Sequence, residues 1–243
     1  MRGREGMDNL KILYEDNHII VVVKPVRIPV QEDKSHDLDL LSIIKEYLKE
    51  KYDKKGNVYL GLVHRLDRMV GGVMVFAKTS KAASRLSDYI RRKEVQKKYY
   101  AIVNGSIEVD GKFHTLRDYL VKNERINMSR VCDSSTKNAK EAILEYQALE
   151  NFSYQGKAYT LVNILLHTGR HHQIRVQMAN MGHPLYGDIK YGQKINKVGQ
   201  NLALFSYYLS FYHPTKDEYL EFQEVPKEEL GLDPIWSVIK YGF

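Results

Sequence analysis

The chain has 243 residues, 43% of them hydrophobic, which is enough for one large buried core or two small ones. Lys and Arg outnumber Asp and Glu by 37 to 30, and the resulting formal charge of +7 suits a polyanionic partner such as nucleic acid, although a solvated basic surface gives the same balance. A single cysteine, Cys132, excludes an intramolecular disulfide and a thiolate zinc site, and no apolar run approaches the roughly 20 residues of a membrane span.

The opening "MRGREGMDNL" carries charge without an apolar stretch, so no signal peptide is expected, and residues 1–9 read as a tail ahead of a single catalytic-size domain, 10–243. The expectation is a soluble cytoplasmic monomer with no membrane contact. Segments 10–14, "LKILY", and 18–24, "HIIVVVK", predict a strand pair joined at "EDN", whose Asp and Asn favour a turn. Pro25 and Pro29 then end the pairing. Residues 40–52, "LLSIIKEYLKEKY", place Leu40, Ile43, Ile44, Tyr47 and Leu48 at helical spacing. "GVMVFAK" predicts a strand, and "TSKAASRLSDYIRRK" a helix capped by Thr79 or Ser80.

"KKYYAIVNG" predicts the next strand, whereas "AKEAILEYQALE" fits neither period and is poor in β-branched residues. "YTLVNILLHTG", 159–169, is apolar on both faces, as a central strand should be. "RHHQIRVQMANMG" reads as a helix with an apolar stripe of Ile174, Met178 and Met181, stopped by Gly182. "ALFSYYLSFYH" supplies a late, long strand. No repeat or linker divides the chain, and the class is mixed alpha and beta.

Three polar clusters stand out. In "LVHRLDRMVGGVMVFAK", 62–78, His64, Arg65, Asp67 and Arg68 precede an apolar run, and charge near a core costs free energy unless it is paired or used. Asp67 therefore reads either as a salt-bridged carboxylate or as a nucleophile or acid/base group. Lys97, Lys98 and Tyr99 head a strand, and an aromatic beside cations is what a stacked base next to its phosphates requires. Arg170, His171, His172, Gln173 and Arg175 crowd the first turns of a helix, where the dipole favours anions, so this loading fits a bound phosphate or carboxylate. A metal at His167, His171 and His172 is not expected, because His167 precedes the helix and no Glu follows as in His-Glu-x-x-His. "HRLD" is no kinase loop: its Asp stands one residue late, no Asn follows, and no Gly-rich loop precedes it.

Taken in order, "ILYEDNHIIVVVKPVRIPV", "HRLDRMVGGVMVFAK", "KKYYAIVNG" and "TGRHHQIRVQMANMGHPLYGDIKYG" resemble the motifs of the RluA-type family of pseudouridine synthases. The resemblance implies an α+β pseudouridine synthase fold, a mixed, largely antiparallel sheet flanked by helices. It also implies an RNA-modifying isomerase without metal or organic cofactor, which detaches uracil from C1′ of a uridine, rotates it and rejoins it through C5. By the same resemblance Asp67 is the nucleophile, attacking C1′ or C6, with Arg175 its partner and Tyr99 stacked on the target base. Arg65 would fill the space of a flipped nucleotide, His64 and Arg170 would hold backbone phosphates, and His172 and Gln173 would complete the substrate-binding set. The expected partner is ribosomal RNA or tRNA.

Two departures from the family pattern stand in this chain: Val70-Gly71-Gly72 replaces the usual Thr-Ser-Gly, and Arg27 replaces the usual Gly of the Lys-Pro turn. Val70 is expected to pack where a Thr methyl would. With nine residues before Leu10, the small N-terminal RNA-binding module that many relatives carry is not expected. One rival is a catalytically inactive RNA-binding relative. Another is a hydrolase using Asp67 on a glycosidic bond, disfavoured because no second carboxylate is read in the other two motifs.

Overall fold

A computed structural model describes residues 10–33, 35–227 and 230–240; the expected tail, 1–9, lies outside them. The chain forms two compact units, one from the residues up to Val95 together with Tyr207–Pro226, the other from Gln96–Ser206 together with the residues from Lys227 onward.

In the first unit β1 (Lys11–Glu15) and β2 (Ile19–Lys24) form an antiparallel pair. The "EDN" turn closes as its composition predicts: Asp16 Oδ1 accepts the backbone N–H groups of His18 and Ile19 at 2.7 and 2.9 Å. Every residue of β2 is buried, Lys24 included. After α1 (Leu40–Lys51) and the two-residue β3 (Gly61–Leu62) comes β4 (Gly71–Ala77), which pairs antiparallel with β2 from Ile19↔Ala77 to Lys24↔Gly72. Helix α2 (Ser80–Arg91) follows. Asp39 caps α1 by accepting the Ser42 N–H at 3.0 Å, and Thr79 caps α2 by accepting that of Ala82 at 3.2 Å.

Alternate residues of β2 and β4, Ile19, Val21, Val73 and Val75, pack with Ala82 and Leu86 of α2. Burial of each such aliphatic side chain contributes about 1.5–3 kcal/mol, so this layer fixes the frame from which the 63–70 loop hangs. Leu209, Phe211 and Leu220 join the same cluster, from β10 (Leu204–Tyr212) and its antiparallel partner β11 (Tyr219–Gln223).

The second unit is a sheet of five strands in the order β5-β9-β8-β6-β7, every neighbouring pair antiparallel. These are β5 (Gln96–Asn104), β6 (His114–Asn123), β7 (Met128–Cys132), β8 (Lys140–Tyr154) and β9 (Lys157–Leu166). β9 lies between β5 and β8, as its apolar faces predict. The ambiguous 139–150 segment is a strand because it has partners on both sides, which overrides its weak β propensity. Gln155 and Gly156, both at positive φ, make the two-residue turn from β8 to β9.

Helix α3 (Gln173–Asn180) is shorter than the sequence predicts. His172 adopts φ 53°, in the left-handed region, so residues 170–172 stay outside the helix and form a loop at its start. Gly182 at φ 92° terminates the chain direction as expected. The whole is a sheet-dominated α+β fold, and no helix among the described residues is long and apolar enough to cross a membrane.

Candidate active site

The first unit carries Asp67 on the loop between β3 and β4, half-buried. Several contacts hold the loop through its backbone. Val70 N–H donates to the Asp67 carbonyl at 3.0 Å, and Arg27 N–H donates to the Arg68 carbonyl at 2.8 Å. Lys24, 0% exposed at the end of β2, donates from Nζ to that same Arg68 carbonyl at 3.1 Å and to Pro25 O at 2.9 Å. Its strand partner is Gly72, which has no side chain to compete for this space. Burial lowers the Lys24 ammonium from 10.5 to about 7, the charge of Asp67 opposing that shift and the charge of Arg68 adding to it.

The two arginines that flank Asp67 have different circumstances. Arg65 is exposed, and its side chain has no hydrogen-bond or ion-pair partner among the described residues. Arg68 is committed to the 33–37 loop, where it pairs with Asp37, lies 3.6 Å from Asp33 Oδ2 and donates to Ser35 Oγ at 2.9 Å. His64 accepts the Val75 N–H on Nε2 at 3.1 Å, which anchors the start of the loop to β4. Val70 is 2% exposed, so the departure from Thr places a fully apolar side chain in the core. Arg27 adopts φ 67°, the left-handed conformation for which a glycine would be the unstrained residue.

In the second unit Tyr99 lies on β5 with its ring buried and its hydroxyl hydrogen-bonded to Ser206. Burial pushes the phenol up to about 12 against the effect of that hydrogen bond, so it is neutral at physiological pH. Arg175, on α3, is gripped from its side: Nε donates to Asp188 Oδ2 at 2.7 Å and Nη2 to Asp188 Oδ1 at 2.8 Å. Asp188 is fully buried and also accepts the backbone N–H groups of Lys190 and Tyr191 at 3.0 and 3.2 Å. The guanidinium carbon lies 5.2 Å from the centroid of the Tyr191 ring.

The Tyr191 hydroxyl accepts the Ser129 N–H at 2.8 Å and is bonded to His172 Nδ1 at 2.8 Å, while His171 Nδ1 meets Ser129 Oγ at 2.9 Å. The His171 and His172 rings are stacked at 3.8 Å. His167 is paired instead with Glu145 at 3.1 Å, and among the described residues no three metal-ligating side chains converge. Gln173 is 3% exposed; its Oε1 accepts Arg170 N–H at 3.0 Å and Thr168 Oγ1 at 2.8 Å, while its Nε2 donates to Ile143 O at 3.1 Å. The side chain thereby braces the loop that carries the exposed Arg170, whose Nε donates to Glu141 O at 2.8 Å.

Three residues of evident importance escape the sequence reading. Lys24 is legible only as a cation ending a fully apolar strand. Asp188 and Tyr191 lie in "YGDIKYG", so the third motif does hold a carboxylate, and the reading that it held none is corrected here. Asp188 is nevertheless unsuited to act as a general acid, since Arg175 and two backbone N–H groups stabilise its ionised form.

The family described as RNA pseudouridylate synthase matches residues 18–180 of this chain. The chain is 30% identical, over 255 aligned residues, to the tRNA pseudouridine synthase C of Haemophilus influenzae, covering 96% of this chain and 98% of that relative. To the ribosomal large subunit pseudouridine synthase D of Nitrosomonas europaea it is 35% identical over 184 residues, 76% of this chain and 50% of that one. The solved structure of human RNA pseudouridylate synthase domain containing 1 superposes with a TM-score of 0.73 at 25% identity, over 90% of this chain and 84% of that one.

Proposed function

From a chain that belongs to the RNA pseudouridylate synthase family, and so is an isomerase of that kind, we propose a synthase that converts uridines of ribosomal RNA or tRNA into pseudouridine with Asp67 as nucleophile. The observation that carries this reading is the way the 63–70 loop is built. Lys24, Arg27 and Val70 fix it through carbonyl groups, and Arg68 is turned toward Asp33 and Asp37, so the loop keeps its shape whatever bond the Asp67 carboxylate makes.

In the reaction the N1–C1′ bond breaks and a C5–C1′ bond forms; the C5 proton is lost and N1 gains one, so no atom is added overall. Asp67 supplies the electron pair that attacks C1′ or C6. Arg175 is assigned to keep Asp67 ionised. Tyr99 offers a neutral aromatic ring to the target base, and the exposed Arg65 takes the place of the flipped nucleotide in the RNA stack. Arg170 and His172 face the backbone, Gln173 acting through the loop it braces. His64 is assigned the same duty through its anchorage to β4.

Pseudouridine mapping of ribosomal RNA and tRNA by selective derivatisation, with wild type, with Asp67→Ala and without protein, tests the reading. Sites that appear with the wild type and vanish with Asp67→Ala support it. RNA binding without product by the wild type makes the chain a binding relative, and product from Asp67→Ala removes Asp67 as the nucleophile.

A further inference from the structure

Lys97 precedes Tyr99 by two residues on β5, so the two side chains leave the strand on the same face, separated by about 7 Å of strand rise. Like the exposed Arg65, Lys97 has no hydrogen-bond or ion-pair partner for its side chain among the described residues. It is half-buried, and loss of water alone lowers its ammonium below the ordinary lysine value. A desolvated cation without a counter-charge is costly in a finished protein, and the cost is removed when an anion arrives.

The surroundings show where the anion would lie. A Cβ built on Gly169 would stand 3.9 Å from Lys97 Nζ and would meet nothing else within 4 Å. Gly169 therefore leaves open space beside the ammonium that any long side chain would cover. Its loop is rigid: Thr168 Oγ1 accepts the Ile143 N–H at 2.8 Å and donates to Gln173 Oε1 at 2.8 Å, and the same Oε1 accepts the Arg170 N–H. Gly169 and Arg170 are both exposed.

We propose that Lys97 and the 168–170 loop form a binding site for one backbone phosphodiester of the RNA strand that carries the target uridine. The site rests on the RNA reading given above. It holds a phosphate on the β5 face from which Tyr99 also projects, so that base and backbone of one strand are gripped from neighbouring positions of a single rigid element.

The test is the salt dependence of binding to bulk tRNA and bulk ribosomal RNA, measured for the wild type, Lys97→Gln, Lys97→Arg and Gly169→Val. One lost phosphate contact lowers the slope of log affinity against log salt by about 0.7–0.9, and weakens binding about 10-fold near physiological salt. Lys97→Gln and Gly169→Val should both show this, and Lys97→Arg should keep the wild-type slope. Wild-type slope and affinity in Lys97→Gln, with or without a lower melting temperature, overturn the site and make Lys97 a structural residue. Should the protein bind RNA but make no pseudouridine, the catalytic reading falls while the slopes still decide the phosphate site.

Discussion

Around Asp67 the fixing contacts run to the backbone: Lys24 Nζ and the Arg27 N–H both end on the Arg68 carbonyl, and the Asp67 carbonyl itself receives the Val70 N–H. Around Arg175 they run to the side chain: two guanidinium nitrogens on Asp188, and an aromatic ring against its face. The difference follows the work assigned to each residue. In the proposed mechanism the Asp67 carboxylate forms and releases a covalent bond, and a loop held through its carbonyl groups keeps its place while that happens. A guanidinium that only has to remain charged and in place can be held by its own nitrogens.

Activity and stability should therefore separate in the two regions. For Asp67→Asn we expect single-turnover formation of pseudouridine to fall by at least about 10³-fold, with unfolding free energy within about 1 kcal/mol of wild type. An Asp67→Asn protein that unfolds readily would break the comparison, since the side chain would then be part of the scaffold.

Next in size is the loss of the grip on Arg175. Asp188→Ala leaves a buried guanidinium without its carboxylate and should cost about 3–5 kcal/mol in denaturant unfolding. Arg175→Lys retains the charge but cannot make the bidentate pair, so we expect about 2–4 kcal/mol of lost stability and a much smaller loss of activity than in Arg175→Ala. Chevron or equilibrium denaturation decides; near-wild-type stability in both variants would remove Asp188 as the clamp.

The held loop has its own pH signature. Lys24 has a folded value of about 7 against 10.5 as a free lysine, so between these limits the unfolded chain binds more protons than the folded one. Wild-type stability, referred to Lys24→Met at the same pH, should rise as pH increases through this window, by at most about 1.4 kcal/mol per unit, and should be flat below about 7. Parallel stability curves for the two proteins from pH 6 to 10 would show that the ammonium is not desolvated as described.

The smallest effect concerns Arg27. Replacing it with glycine relieves the left-handed strain and should raise stability by about 0.5–1 kcal/mol, or about 1–4 °C in melting temperature, without altering activity. A destabilised Arg27→Gly would mean that the arginine side chain contributes more than its backbone costs.

Legibility in the sequence followed the physics of each segment. β2 and β4 could be read because both are continuous apolar runs, α1 because its apolar residues fall at helical spacing, and α2 because Thr79 marks its start. The β6–β7 pair could not, since apart from the buried Leu120 and Ser129 its residues are half-buried or exposed and show no continuous apolar face. The start of α3 was misplaced because nothing in "RHHQIR" announces a left-handed His172. Asp67, Tyr99 and Arg175 are proposed on motif resemblance. Lys24, Asp188 and Tyr191 were not read, because their value lies in partners distant in the chain: Lys24 reaches a carbonyl 44 residues on, and Asp188 a guanidinium 13 residues back.

The left-handed Arg27 has a consequence at the level of the gene. Glycine codons GGN and arginine codons CGN differ by one base, so this turn can pass from one residue to the other in a single mutational step. The strain of about 1 kcal/mol is a small part of a stability margin of about 5–15 kcal/mol, and the N–H that binds the Arg68 carbonyl is present with either residue. Drift at this codon is thus open in both directions, while the fold of the loop beneath Asp67 stays the same.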